Sequence, residues 1–137
     1  MEVILMELRV DPLFDKNSNF VGWLVDSENV FDRNLTWVAY IFNDYIWAVK
    51  TQNWIGELND TNLLDRYGRI VAWSTSGPVV GTSYIIEAPL DVGLPLRPLP
   101  PLIGNVPLNP GEAPEPIGEW SKLTFYEWLN QSRRYYV

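Results

Sequence analysis

Eight of the eleven prolines in this 137-residue chain fall between Pro95 and Pro116, and nothing else in the sequence restricts the fold as much. Proline fixes φ and has no N–H to donate, so this stretch is neither helix nor central strand. As polyproline II it would rise about 3.1 Å per residue and reach on the order of 60–70 Å. A packed body must then come from residues 1–90, joined by whatever residues 119–137 add.

Those first 90 residues carry the texture of short strands. Residues 2–10, "EVILMELRV", are rich in β-formers, and "FVGWLVDS" (20–27) is apolar on both faces, as an interior strand would be. Between them "DPLFDKNSN" (11–19) is expected to be a turn or loop. In "LTWVAYIFNDYIWAVKTQNWI", Asn43 and Asp44 tolerate the positive φ of a tight hairpin, which pairs 36–42 with 45–51. Periodicity alone leaves a helix open over the same run. Residues 59–68 suggest one helical turn or a loop, and 69–76 and 82–88 two further strands. No internal repeat is visible. Six or seven strands at this spacing imply a mainly β fold, a compact antiparallel β-sandwich or small barrel over 1–90. A Pro-rich extended arm (91–118) and a C-terminal anchor (119–137) would follow, all as one structural unit. In the anchor, Thr124 and Glu127 form a T-x-x-E capping box for a helix from about 125 to 133. Aromatic residues on several sides of that helix imply that it is wedged between surfaces.

Composition narrows the chemistry. The chain is 47% hydrophobic and 20% charged, which is globular rather than disordered. Its net charge of −7 opposes tracking of phosphates, so nucleic acid is not an expected partner. There is no Cys and no His, which removes disulfides, thiolate metal sites, the usual general base and the nucleophilic triads. No segment approaches the roughly 20 apolar residues of a membrane span, and no secretory leader is expected at the N-terminus. Location is therefore expected to be the cytoplasm, or a virion assembled there.

Weak constellations remain. Asp15, Asn17, Asn19 and Asp26 have the oxygen spacing of a calcium loop, but Phe20 stands where the turn needs glycine. Glu57, Asp60 and Asp65 could supply the paired carboxylates of a small hydrolase, with Trp54 and Trp73 near enough to stack on a sugar. The five tryptophans from Trp23 to Trp73 could form a ligand platform, although core packing explains them better. No catalytic residue, metal or cofactor is assigned.

The proline segment carries the functional expectation. "RPLPPLI" resembles the class I ligand of SH3 domains through Arg97, Leu99 and Pro100, but Ile103 takes the place of its last proline. Leu94, Leu96, Leu99 and Leu102, with Ile103, Val106 and Leu108, are also too apolar for a solvated linker. Together with Arg97 they are the expected partner-binding face of the arm. Trp120, Phe125, Trp128, Tyr135 and Tyr136 are the expected partner-binding face of the anchor. A β body with a gripping arm is similar in texture to virion parts. The expectation is a non-enzymatic structural protein of a large multi-subunit assembly. A bacteriophage capsid cement or decoration protein, or a tail, baseplate or neck adaptor, fits best. Its partners would be other protein subunits of that assembly, copies of itself or a major structural protein. A glycan-binding β-sandwich and a small carboxylate hydrolase are the alternatives. Deletion of 94–137 is expected to leave a folded β domain that no longer assembles.

Overall fold

The computed structural model describes residues 9–74 and 119–132. Eight strands follow one another as an antiparallel meander: β1 (Val10–Phe14), β2 (Phe20–Val25), β3 (Asn29–Asp32), β4 (Trp37–Phe42), β5 (Tyr45–Ala48), β6 (Trp54–Asn59), β7 (Asn62–Leu64) and β8 (Ile70–Ala72). The sheet curls until its ends meet. Phe14 N–H donates to the Trp73 carbonyl at 2.7 Å, and Trp73 N–H returns a bond to the Phe14 carbonyl at 2.9 Å. The molecule is thus mainly β, a nearly closed barrel-like sheet with one short C-terminal helix, α1 (Phe125–Leu129).

The barrel is built from one hairpin repeated four times. Each repeat contains a fully buried aliphatic residue, then a register shift, then a five- or six-residue loop. The shifts fall at Leu13/Phe14, Val30/Phe31, Ile46/Trp47 and Leu63/Leu64. A shift of this kind bends and twists the strand, which a small barrel needs in order to close. It also pushes a backbone carbonyl towards the neighbouring strand. A Cβ on Gly56 would sit 1.7 Å from the Leu64 carbonyl oxygen, and one on Gly22 would sit 2.1 Å from that of Phe31. Only glycine fits at either place.

The antiparallel meander sorts its connections by end. At one end lie the tight turns 26–28, 43–44 and 60–61; at the other lie the four long loops 15–19, 32–36, 48–53 and 65–69. Asn43 (φ 51°) and Asp44 (φ 66°) are both left-handed, as the tightest hairpin turn requires. The expected hairpin is therefore present, and the helical alternative over 36–51 is not.

Leu13, Leu24, Val30, Ile46, Ile55 and Leu63 pack in one interior cluster, which also takes in Phe125, Trp128 and Leu129 of α1. Three further aromatic clusters are chained together by shared rings. Phe20 joins the Phe14–Trp73 group to the Trp23–Phe31 group, Trp37 joins that to Tyr40–Trp47, and Trp54 closes the circuit.

Several expectations need correction. Residues 11–19 are not all loop, because Val10–Phe14 is β1; Pro12 is tolerated there because β1 is a terminal strand of the meander, paired along its length only with β2. Residues 59–68 hold β7 rather than a helical turn, and neither β3 nor β6 was anticipated. An internal repeat exists. The helix starts where the capping box puts it but ends at Leu129. The strand over 82–88, the arm 91–118 and most of the strand over 2–10 lie outside the described residues.

Candidate functional site: the strapped loop end

Each long loop folds around one side-chain oxygen. Asp15 Oδ1 accepts the amides of Asn17 and Asn19, both at 2.9 Å. Asp32 Oδ1 accepts those of Asn34 and Thr36, and Asp65 Oδ1 those of Tyr67 and Arg69. The fourth residue of each of these loops takes a left-handed φ: Ser18, Leu35 and Gly68. In the third loop Ala48 replaces the aspartate and one residue is added. There Thr51 Oγ1 accepts the Asn53 amide at 3.3 Å, and Gln52 supplies the left-handed φ.

Across these loops lies the strap, residues 119–132. It begins as a parallel bridge on β8: Ile70 N–H donates to Glu119, and Ser121 N–H donates to Ile70, both at 2.9 Å. Ser121 Oγ then bonds the remaining oxygen of Asp65 at 2.5 Å in a buried position. Thr124 and Glu127 complete the capping box in both directions, at 3.0 and 3.2 Å. The Thr124 amide bond, then its hydroxyl bond, hold the Glu127 carboxyl below its ordinary value. α1 turns Phe125, Trp128 and Leu129 into the barrel, and the Trp128 indole N–H reaches the Ile55 carbonyl at 2.9 Å. Past the helix, Asn53 Nδ2 donates to the Gln131 carbonyl at 3.0 Å, and Arg66 donates to that of Ser132 at 2.7 Å. Arg66 also donates to the Trp54 carbonyl through Nε and a terminal nitrogen and stacks 5.5 Å from the Trp54 ring. Burial lowers the pKa of its guanidinium.

Two clefts flank the strap. One, of about 410 Å³, lies between the fourth loop and the strap and is bordered by Asp65, Arg69, Lys122 and Gln131. The other, of about 500 Å³, lies among the first two loops and the start of α1, with Phe20, Arg33, Phe125 and Tyr126 on its walls. A third, of about 690 Å³, opens at the opposite end beside Glu28, Phe42 and Asp44.

The carboxylates considered for catalysis are not brought together. Asp65 is buried in the fourth loop, Asp60 sits in a turn at the far end, and Glu57 lies on β6 beside Asp44. Burial, and then the Asp44 charge, hold the Glu57 carboxyl above its ordinary value. The spaced oxygens are likewise apart: Asp15 serves its own loop, whereas Asp26 accepts the Arg9 amide at the turn end. Among the described residues no group of three or more acidic side chains could hold a metal ion.

The tryptophans pack inward. Trp23, Trp47, Trp73 and Trp128 are buried, and Trp37, Trp54 and Trp120 are half-buried. Of the expected partner-binding residues, Phe125 and Trp128 are thus spent on this chain's own core, and Trp120 packs beside Ile70 and Trp73. Leu94, Leu96, Arg97, Leu99, Leu102, Ile103, Val106, Leu108, Tyr135 and Tyr136 lie outside the described residues. Sequence reasoning missed the Asx loops and the Asp65–Ser121 pair. The recurring "FD" of Phe14–Asp15 and Phe31–Asp32, with "LD" at Leu64–Asp65, was the signal for the loops.

Four hairpins set around one axis, closed edge to edge and stoppered by a returning helix, define a pseudo-fourfold β wheel. The chain belongs to the family described as 4-fold beta flower protein, whose model matches residues 11–129. No curated protein and no solved structure matches it.

Proposed function

We propose that the chain is a non-enzymatic subunit of a large protein assembly, in the setting its sequence suggests, a bacteriophage particle. One observation carries this reading. Trp73 and Glu119, on either side of residues 75–118, are both hydrogen-bonded into the barrel, Trp73 to Phe14 and Glu119 to Ile70 of β8. Long segments set between elements of a rigid scaffold commonly carry binding residues. The sequence over 91–118 is rich in leucine and proline, which suits an extended apolar contact with other subunits.

The strap changes how the reading is tested. Removing 94–137 would also remove Phe125, Trp128 and Leu129 from the interior, so that deletion would unfold the barrel rather than disarm it. The informative variant replaces the arm, 91–118, with a short Gly/Ser linker and keeps 1–90 and 119–137. Its circular dichroism and melting should match those of the full chain. In its native host the full chain should co-sediment with a particle far larger than itself, and the linker variant should stay in the light fraction. A full chain that stays light, or a linker variant that still enters the particle, counts against the proposal.

A further inference from the structure

The two ends of the barrel differ in charge as well as in loop length. At the turn end stand Asp26, Glu28, Asp44, Glu57 and Asp60, and the nearby Arg9 is already paired with Asp11 at 3.2 Å. Burial and then the Asp44 charge raise the pKa of Glu57, and Asp26 accepts the Arg9 amide at 2.8 Å. At the loop end Lys16, Arg33, Lys50, Arg69 and Lys122 are all exposed, and none makes an ion pair among the described residues. The loop end holds carboxylates too. Asp15, Asp32 and Asp65 are folded back onto their own loop amides, however, which leaves Glu119 and Glu127 as its exposed acids.

Exposed large apolar side chains mark the same two places. Among the described residues they are Phe42 (52% exposed) at the turn end, and Leu35 (46%) and Tyr126 (47%) at the loop end. Leu35 is the more telling because its φ of 63° is one that Gly68 adopts freely in the fourth loop. A leucine held exposed in that conformation serves neither the core nor the loop.

We propose that copies of this chain stack end to end. The acidic turn end of one copy, with Phe42 projecting, seats in the loop-end cleft of the next, beside Phe20, Arg33 and Tyr126. That cleft of about 500 Å³ exceeds the roughly 150 Å³ that suffices to hold a benzene ring. Arg33 on the cleft wall meets the carboxylates around Phe42, while Asp15, also on the wall, is held by the amides of Asn17 and Asn19, and the exposed Leu35 lies two residues from Arg33 in the same loop. The two contact surfaces are different patches of one molecule, so the association is heterologous and propagates as a ring or a filament. It rests on the assembly reading above but uses the barrel's ends rather than residues 91–118.

Sedimentation velocity of the purified full chain tests it. Self-association should rise with concentration, weaken as salt is added, and be lost in Phe42→Asp and in Arg33→Glu. Combining Arg33→Glu with Asp44→Arg should restore it. Leu35→Gly should melt higher yet associate more weakly, a split that a purely structural role would not give. A full chain that stays monomeric at low salt overturns the stacking, as does one that binds only an added acidic polymer such as polyglutamate. If Phe42→Asp and Arg33→Glu still associate while the Gly/Ser linker variant does not, the stacking fails and the assembly reading stands. If the linker variant still enters the particle and the end variants fall apart, the stacking stands and the role of 91–118 fails.

Discussion

Three of the four long loops close on an aspartate, whereas the third closes on Thr51 after an extra residue. All four still present an acceptor oxygen to an amide of the same loop and place one residue at positive φ. What the repeat conserves is therefore a hydrogen-bond geometry rather than a residue. The loop that departs is also the one tied through Asn53 to the end of the strap. The fourth loop keeps its aspartate but uses the second oxygen for Ser121. The strap thus breaks the symmetry at the two loops it is bonded to, and the first two loops stay closest to the common form.

Variants can break or sharpen that contrast. The largest effect should come from Trp128→Ala, which empties the interior beneath the strap and strands the Ile55 carbonyl. A loss of about 3–5 kcal/mol is expected in chemical denaturation, enough to loosen every loop at once. Asp65→Ala should follow at about 3 kcal/mol, because it orphans two amides and the buried Ser121 hydroxyl. Asp15→Ala removes the equivalent oxygen from a loop without that hydroxyl, and about 1 kcal/mol is expected. Equal losses at 65 and 15 would mean that the strap adds nothing to the fourth loop. Thr51→Ala should cost about 0.5 kcal/mol, the least of the loop changes, in keeping with its longer bond.

The smallest effect concerns charge. Glu57 has a folded pKa above its ordinary 4.5, so its favourable contribution is complete below 4.5 and is lost as pH rises through the folded value. Glu57→Gln should therefore raise the melting temperature slightly at neutral pH, with the advantage shrinking as pH falls towards 4.5. Glu127 runs the other way: its contribution is present above 4.5 and fades as pH falls through its lowered value. An advantage for Glu57→Gln that persists in acid would remove the charge explanation.

Sequence alone exposed the features set by neighbours in the chain. The Asn43–Asp44 hairpin and the Thr124–Glu127 cap are each local geometries with characteristic residues, and both are present. β3 and β7 were missed because they are only four and three residues long and adjoin loops rich in Asp and Asn, and β6 because Gly56, Glu57 and Asn59 interrupt its apolar run. The repeat was hidden because an acceptor oxygen can come from Asp or Thr, so "FDKNSNF" and "WAVKTQNW" share little but a shape. The burial of Trp128 depends on contacts with strands more than seventy residues away, such as its bond to Ile55, and no local pattern encodes that. Of the candidate carboxylates, the sequence supplied proximity along the chain, but alternate strands carried them to opposite ends.

The seam between Phe14 and Trp73 also bears on time. Among the described residues every other strand pairing joins neighbours in the meander, so seven of these eight pairings can form as soon as their short connection closes. Among the described residues it is the seam and the strap that must wait for distant parts of the chain to meet. Folding should then be fast through the hairpins and slow at the end, with ring closure and strap docking setting the pace. A nascent wheel would spend that interval open, with the edges of β1 and β8 unpaired and able to capture a second copy by strand exchange.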